Sequence, residues 1–268
     1  MTFFLIFFTF VFGAIIGSFL NVVALRFNTG KTVGGRSACM SCARKLNWYD
    51  MIPVLSWFVL RGKCRSCKSC ISYQYPLVEF VTGALFATVA FKYELLLQMD
   101  PVYFVFFTLF MWVTLSVLMV ITIYDIRHKI IPNALSYIFA FLGLARIVID
   151  WGPTNLLMGG ALWDIATGLL IAFFFYLLWR VSDGTWMGLG DAKLSLGVGW
   201  FLGAEGGVSA IVMAFWVGCV VTLGIIGFQR LASKRKGKKG LGLKSEIPFA
   251  PFIIIGFLII YFTGIVVY

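Results

Sequence analysis

Two stretches, Phe3–Leu25 and Pro101–Tyr124, each run for more than twenty residues without a charged side chain. About 20 apolar residues in a row let a helix cross the hydrocarbon core of a bilayer, and a soluble core does not call for such runs. Composition points the same way: 61% of residues are hydrophobic, 12% are charged and the mean hydropathy is +0.96. Soluble domains sit nearer about 45–50% apolar and about 25% charged. An ordinary cytosolic enzyme, a disordered chain and a secreted disulfide scaffold are therefore excluded. The expected fold class is an all-α polytopic membrane protein of about eight transmembrane helices with one small cytoplasmic insertion.

The eight apolar segments lie near Phe3–Leu25, Pro76–Leu97, Pro101–Tyr124, Ala134–Ile149, Ala161–Trp179, Ala192–Leu202, Val208–Phe228 and Pro248–Tyr268. The first is expected to stay in place, since no basic residue precedes it and no small-residue cleavage site follows. With the N-terminus outside, the cytoplasmic segments hold all of the 22 Lys and Arg except Lys92 and Arg146. Cytoplasmic loops of membrane proteins carry that excess, so the net charge of +11 reads as topology, with the lipid bilayer and not nucleic acid as partner. The sixth segment is short, about eleven residues or roughly 16 Å of helix, and is interrupted by glycines. It either continues through them or is half-length or re-entrant.

Residues 26–75 form the one segment large enough for a separate domain, between a first transmembrane helix (1–25) and the remaining membrane region (76–268). Cys39-Met-Ser-Cys42 and Cys64-Arg-Ser-Cys67 fall within it, with Cys70 close behind. Two C-x-x-C pairs at this separation indicate a structural zinc site, each pair placing two thiolates on one tight knuckle. Zinc would also supply folding energy that a small insertion cannot draw from its own core. Two disulfides are the competing reading, disfavoured on the reducing side of a membrane. Cys67-Lys-Ser-Cys70 is a third C-x-x-C; Cys64 and Cys67 are the favoured ligands, with Cys70 a spare thiol. Cys219, in an apolar span, reads as a small hydrophobe.

Of the 11 acidic residues, two stand at membrane edges that the threading places together. Asp125 closes the third segment and Asp191 opens the sixth, directly after Gly188-Leu189-Gly190. Ionisable groups embedded there are functional hypotheses by default. Each also has a plainer reading, Asp191 as a helix cap and Asp125 as an ion-pair partner. Paired carboxylates can share a proton, one acting as base on a water and the other as acid toward a carbonyl. Gly188 and Gly190, lacking side chains, would let a substrate backbone approach. Asp164 reads as a helix-start or interfacial residue. The single histidine, His128, lies beside Arg127 and Lys129, and neither a nucleophile elbow nor a P-loop is present.

The ordered set of motifs resembles the type IV prepilin peptidases, or leader peptidase/N-methyltransferases, of the GxGD intramembrane aspartic proteases. Along almost the whole chain the resemblance rests on Gly17-Ser18-Phe19-Leu20-Asn21-Val22, the two cysteine knuckles, Ile52-Pro53-Val54-Leu55-Ser56-Trp57 and Tyr75-Pro76-Leu77-Val78-Glu79. It continues through Asp125 with His128-Lys129-Ile130-Ile131-Pro132-Asn133, then Gly188-Leu189-Gly190-Asp191-Ala192-Lys193-Leu194, and ends at Ile247-Pro248-Phe249-Ala250-Pro251-Phe252. It implies that Asp125 and Asp191 are catalytic and that residues 76–268 form an aspartic protease domain in a bacterial inner membrane. The substrates would be prepilins or pseudopilins, cleaved after a short basic leader at the cytoplasmic face. The resemblance also implies N-methylation of the new N-terminus from S-adenosylmethionine, an activity associated with the cysteine domain; Glu79 is the residue picked for it. The sequence departs from the family pattern at Phe27-Asn28, at Met40 and at the extra Cys70.

Two readings from other classes compete. A polytopic ion or proton transporter would use Asp125 and Asp191 as its cation site but leaves the cysteine domain unexplained. A membrane scaffold would use that domain to dock a partner.

Overall fold

The computed structural model describes residues 2–29, 34–35, 37–156, 159–236 and 248–267, with only the backbone described for 229–236. Lys31, Arg36, the stretch from Lys238 to Ile247 and Tyr268 lie outside the described residues. The chain divides into two compact units, Met1–Ile123 and Tyr124–Tyr268.

The first unit is built on α1 (Thr2–Arg26) and α3 (Gln74–Lys92), which pack along their length. Gly13 lets them close: a Cβ there would stand 2.7 Å from the Cβ of Phe86 and 2.9 Å from the Cα of Gly83. Small residues at such crossings let backbones meet where lipid offers no hydrophobic drive for association. Phe86, buried in α3, stacks on Trp112 of α5 (Pro101–His128) with ring centroids 4.8 Å apart, and the Trp112 indole N–H donates to the Phe86 carbonyl. A short α4 (Glu94–Met99) joins α3 to α5. Between α1 and α3 the chain forms two small knuckles, a 3-10 turn at Trp48–Met51 and a five-residue α2 (Leu55–Val59).

In the second unit, the last turn of α5 is followed by α6 (Asn133–Trp151), α7 (Gly159–Val181), α8 (Leu189–Lys236) and α9 (Ala250–Thr263). Lys129, at φ 53°, ends α5, and Pro132 stands immediately before α6. Within α8, Gly203 takes φ 72° and ψ −171°, a conformation essentially confined to glycine. The chain doubles back there, since a Cβ on Gly207 would lie 2.9 Å from the Cα of Gly199. Eight residues of straight helix would separate those positions by about 12 Å. Asp164 of α7 secures the reversal, taking the Ala204 N–H on one oxygen and the Trp151 indole N–H on the other, both at 2.9 Å.

Among the described residues, six helices are long and apolar enough to span a membrane when α8 is counted as one, and α9 is a shorter apolar helix. With α8 broken at Gly203 into arms 189–202 and 204–236, the sixth segment does not continue straight through its glycines: it is a shortened helix about 21 Å long, against a hydrocarbon core of about 30 Å. The alternation of the helices then puts the end of α5, the start of α6, the start of α8 and the start of α9 at one end of the unit. Gly203, Asp164 and Trp151 mark the other end. Phe139, Phe201 and Phe257 form the core between them, with Phe139 and Phe257 fully buried.

Candidate functional site

Asp125 and Asp191 meet at the first of those ends. Asp125, 4% exposed, stands in the last turn of α5, and its carboxylate accepts the N–H of Ala250, the first residue of α9. The other oxygen, Oδ2, is buried without a hydrogen-bond partner. Asp191, 7% exposed, lies in the first turn of α8, where Oδ2 accepts the Gly188 N–H at 3.1 Å. That bond runs from a third helical position back to the residue before the helix, the carboxylate half of a capping box. The helix-cap reading of Asp191 and the catalytic one thus describe the same geometry. Each carboxylate faces the positive end of a helix, and the two are close enough for the charge on one to be felt at the other.

Gly190 makes its close approach to the chain itself, since a Cβ there would stand 2.8 Å from the Cβ of Ile131. Around Gly188 there is room, the nearest atom being Asp191 Oδ2 at 3.5 Å. Lys193 pins α8 to α6, donating to Asn133 Oδ1 at 2.8 Å and lying over the Tyr137 ring. His128 packs its ring against Tyr124, 4.5 Å between centroids. The feature that residue-type reasoning misses is Ala250, which acts through its backbone. Its only sequence signal is the flanking pair Pro248 and Pro251. A buried carboxylate with one open oxygen, beside a second carboxylate held by a backbone N–H, is suited to pass a proton between a water and a carbonyl.

In the first unit, Glu79 is buried on the face of α3 turned to α1. Its Oε2 accepts the Val54 N–H at 2.7 Å, and the Ser18 side chain of α1 bonds the same carboxylate. Val54 has φ 62° and ψ −55°, and the Leu55 N–H closes on the Pro53 carbonyl at 2.6 Å. This is a γ-turn of the rarer, strained hand, on a β-branched residue. Asn21, fully buried, extends the polar contacts to the Gly17 and Tyr75 carbonyls and to Gln74.

The cysteine knuckles repeat one geometry. The Cys39 N–H donates to the Arg44 carbonyl, and the Cys64 N–H donates to the Ser69 carbonyl. Ala43 and Lys68, each following the second Cys of its pair, both take positive φ. The ligand atoms of Cys39, Cys42, Cys64 and Cys67 all lie within 4.8 Å of one another and could hold a metal ion; Cys70 is not among them. These four cysteines are free thiols, with no disulfide. Backbone N–H groups of Cys42 and Ser41 lower the Cys39 pKa to about 6, and the Ser69 hydroxyl lowers that of Cys67. The Arg44 N–H favours a Cys42 thiolate, but Cys39 and Cys67 outweigh it and push Cys42 up to about 11. A cation among the four sulfurs would offset their mutual repulsion as thiolates.

Residues 11–93 match the bacterial peptidase A24 N-terminal domain, and residues 112–223 match the type IV leader peptidase family. A prepilin leader peptidase/N-methyltransferase of Bacillus subtilis is 30% identical, the alignment covering 95% of this chain and 93% of that protein. Proteins of the same name from Myxococcus xanthus and Stutzerimonas stutzeri are 32% and 30% identical, over 89% and 91% of this chain and 67% and 86% of theirs. No solved structure matches.

Proposed function

Because this chain belongs to the type IV leader peptidase family, we propose that it is a membrane-embedded aspartic endopeptidase that removes the short basic leader of prepilins or pseudopilins. The observation that carries the proposal is the pair of buried carboxylates, Asp125 with an unpartnered Oδ2 and Asp191 held by Gly188. In the proposed reaction the ionised member takes a proton from water as the water oxygen attacks the scissile carbonyl. The protonated member gives its proton to the carbonyl oxygen. Collapse of the resulting gem-diol expels the amine, which takes a proton from one carboxyl, while a gem-diol hydroxyl returns its proton to the other and so restores the shared proton. Gly188, open on its substrate side, admits the peptide backbone; Gly190 lets α8 seat on Ile131 and so fixes Asp191. The distribution of Lys and Arg supports reading this site at the cytoplasmic face of the membrane, with the N-terminus outside.

Cys39, Cys42, Cys64 and Cys67 are proposed to hold zinc. The Cys39–Cys67 sulfur separation of 3.8 Å equals the edge of a tetrahedron with zinc–sulfur bonds of about 2.3 Å. Zinc would fix the fold of residues 26–75. N-methylation of the new N-terminus from S-adenosylmethionine is the second proposed activity. Glu79, buried and engaged by Val54 and Ser18, serves it by seating the insertion against α1 and α3 rather than by touching the donor.

The test is incubation of the detergent-solubilised protein with a prepilin-like peptide, read by mass spectrometry. Leader release supports the proposal. Potential-driven ion flux from liposomes without cleavage would favour the transporter, a reading the family matches do not support.

A further inference from the structure

We infer that α2, with the turn before it, lies in the headgroup layer of the bilayer, its outer face set among the upper acyl chains. The first premise is depth. α3 has 19 residues, about 28 Å, barely the thickness of the hydrocarbon core. Gln74, its first residue, therefore stands at the edge of that core, and Glu79 enters it by a further rise of about 8 Å. The 2.7 Å bond from the Val54 N–H to Glu79 draws the insertion's backbone to that level. Even with the Glu79 side chain leaning toward the start of its helix, Val54 is at the boundary between headgroups and acyl chains.

The second premise is that this backbone is equipped for such a place, where unpaired polar groups are costly. Pro53 has no N–H. Val54 donates to Glu79, Leu55 to the Pro53 carbonyl and Ser56 to the Ile52 carbonyl.

The third premise is the division of α2 into two faces. Trp57 turns inward, its indole N–H donating to the Ile71 carbonyl and its ring lying against Gly62. Leu55, Phe58 and Val59, spaced i, i+3, i+4 along one face, are 63%, 63% and 75% exposed. Trp48, Met51 and Ile52, just before them, are exposed as well. Arg61 and Lys63 follow at once, exposed and suited to anionic headgroups. Asp50, the acidic residue of this stretch, is already paired with Arg65 at 2.9 Å. A second copy meeting the same face would bring Arg61 and Lys63 against their own counterparts, so the bilayer is the occupant that the charges favour.

The full chain in nanodiscs of phosphatidylcholine and phosphatidylglycerol tests this, using a phospholipid with a diazirine near the glycerol end of its acyl chain. After photolysis, digestion and mass spectrometry, carbene adducts are expected on residues 55–59 as well as on α1 and α3. The combined variant Leu55→Ser, Phe58→Ser, Val59→Ser should lose the α2 adducts and keep those on α1 and α3. An unlabelled α2 in wild type beside a labelled α3 overturns the inference. So do adducts that persist unchanged in the variant, or protein–protein cross-links joining residues 55–59 of two copies instead of lipid adducts. Should the variant fail to insert, the wild-type labelling pattern decides alone.

Discussion

A carboxylate that only accepts hydrogen bonds and one that moves protons respond differently when an amide replaces them. Glu79→Gln keeps an oxygen for the Val54 N–H, so the insertion should stay seated and methyl transfer should survive. Glu79→Ala leaves that N–H unpaired at a cost of about 1–3 kcal/mol. Amide exchange across residues 52–60 should then accelerate and methyl transfer fall away, while leader release continues. Exchange mass spectrometry and a labelled methyl-donor assay read both; equal loss in the Gln and Ala variants would make Glu79 a chemical participant. At this scale the sequence is informative where an ionisable type is out of place. Asp125 and Asp191 stand out because carboxylates at a membrane edge are costly. Ala250 does not, because a backbone N–H donor has no residue type of its own, and Val54 does not, because its strained turn depends on a carboxylate 25 residues away.

Among the elements, α8 shows how a local reading reaches its limit. Glycines in the sixth segment mark an interruption, but only the Gly199–Gly207 approach shows that the chain reverses. Of the helix-start and interfacial roles read for Asp164, the structure shows a helix-start role, but the helix it caps begins 40 residues downstream at Ala204. Its pairing with a distant segment carries no local periodicity, which is why the sequence is silent on it. Asp164→Ala should remove this cap and the Trp151 bond and cost about 1–2 kcal/mol. Gly203→Ala forces a side chain into a glycine-only conformation, for a further penalty of about 1–3 kcal/mol. Thermal unfolding in detergent should show both, and because α8 carries Asp191, leader release should weaken along with stability. Gly203→Ala matching wild type would mean that the reversal is not built as described.

On the scale of the whole molecule, the apolar runs make the membrane class legible at once, and the cysteine spacing makes the four-thiol cluster legible. How the chain partitions is harder to read, because the boundary between the compact units at Ile123 and Tyr124 falls inside the continuous helix α5. Both aspartates belong to the second unit and all four clustered cysteines to the first. Cys39→Ser or Cys64→Ser should therefore abolish bound metal, as measured by elemental analysis, and methyl transfer with it. Cleavage should decline less than in the aspartate variants. Full metal retention in both would reject the ligand set. The central claim, that Asp125 and Asp191 together hydrolyse the leader bond, is tested most directly by peptide cleavage with Asp125→Asn and Asp191→Asn. Each is nearly isosteric with wild type but unable to carry the proton, so each well-inserted variant should release no leader; near-normal release by either one would contradict the account.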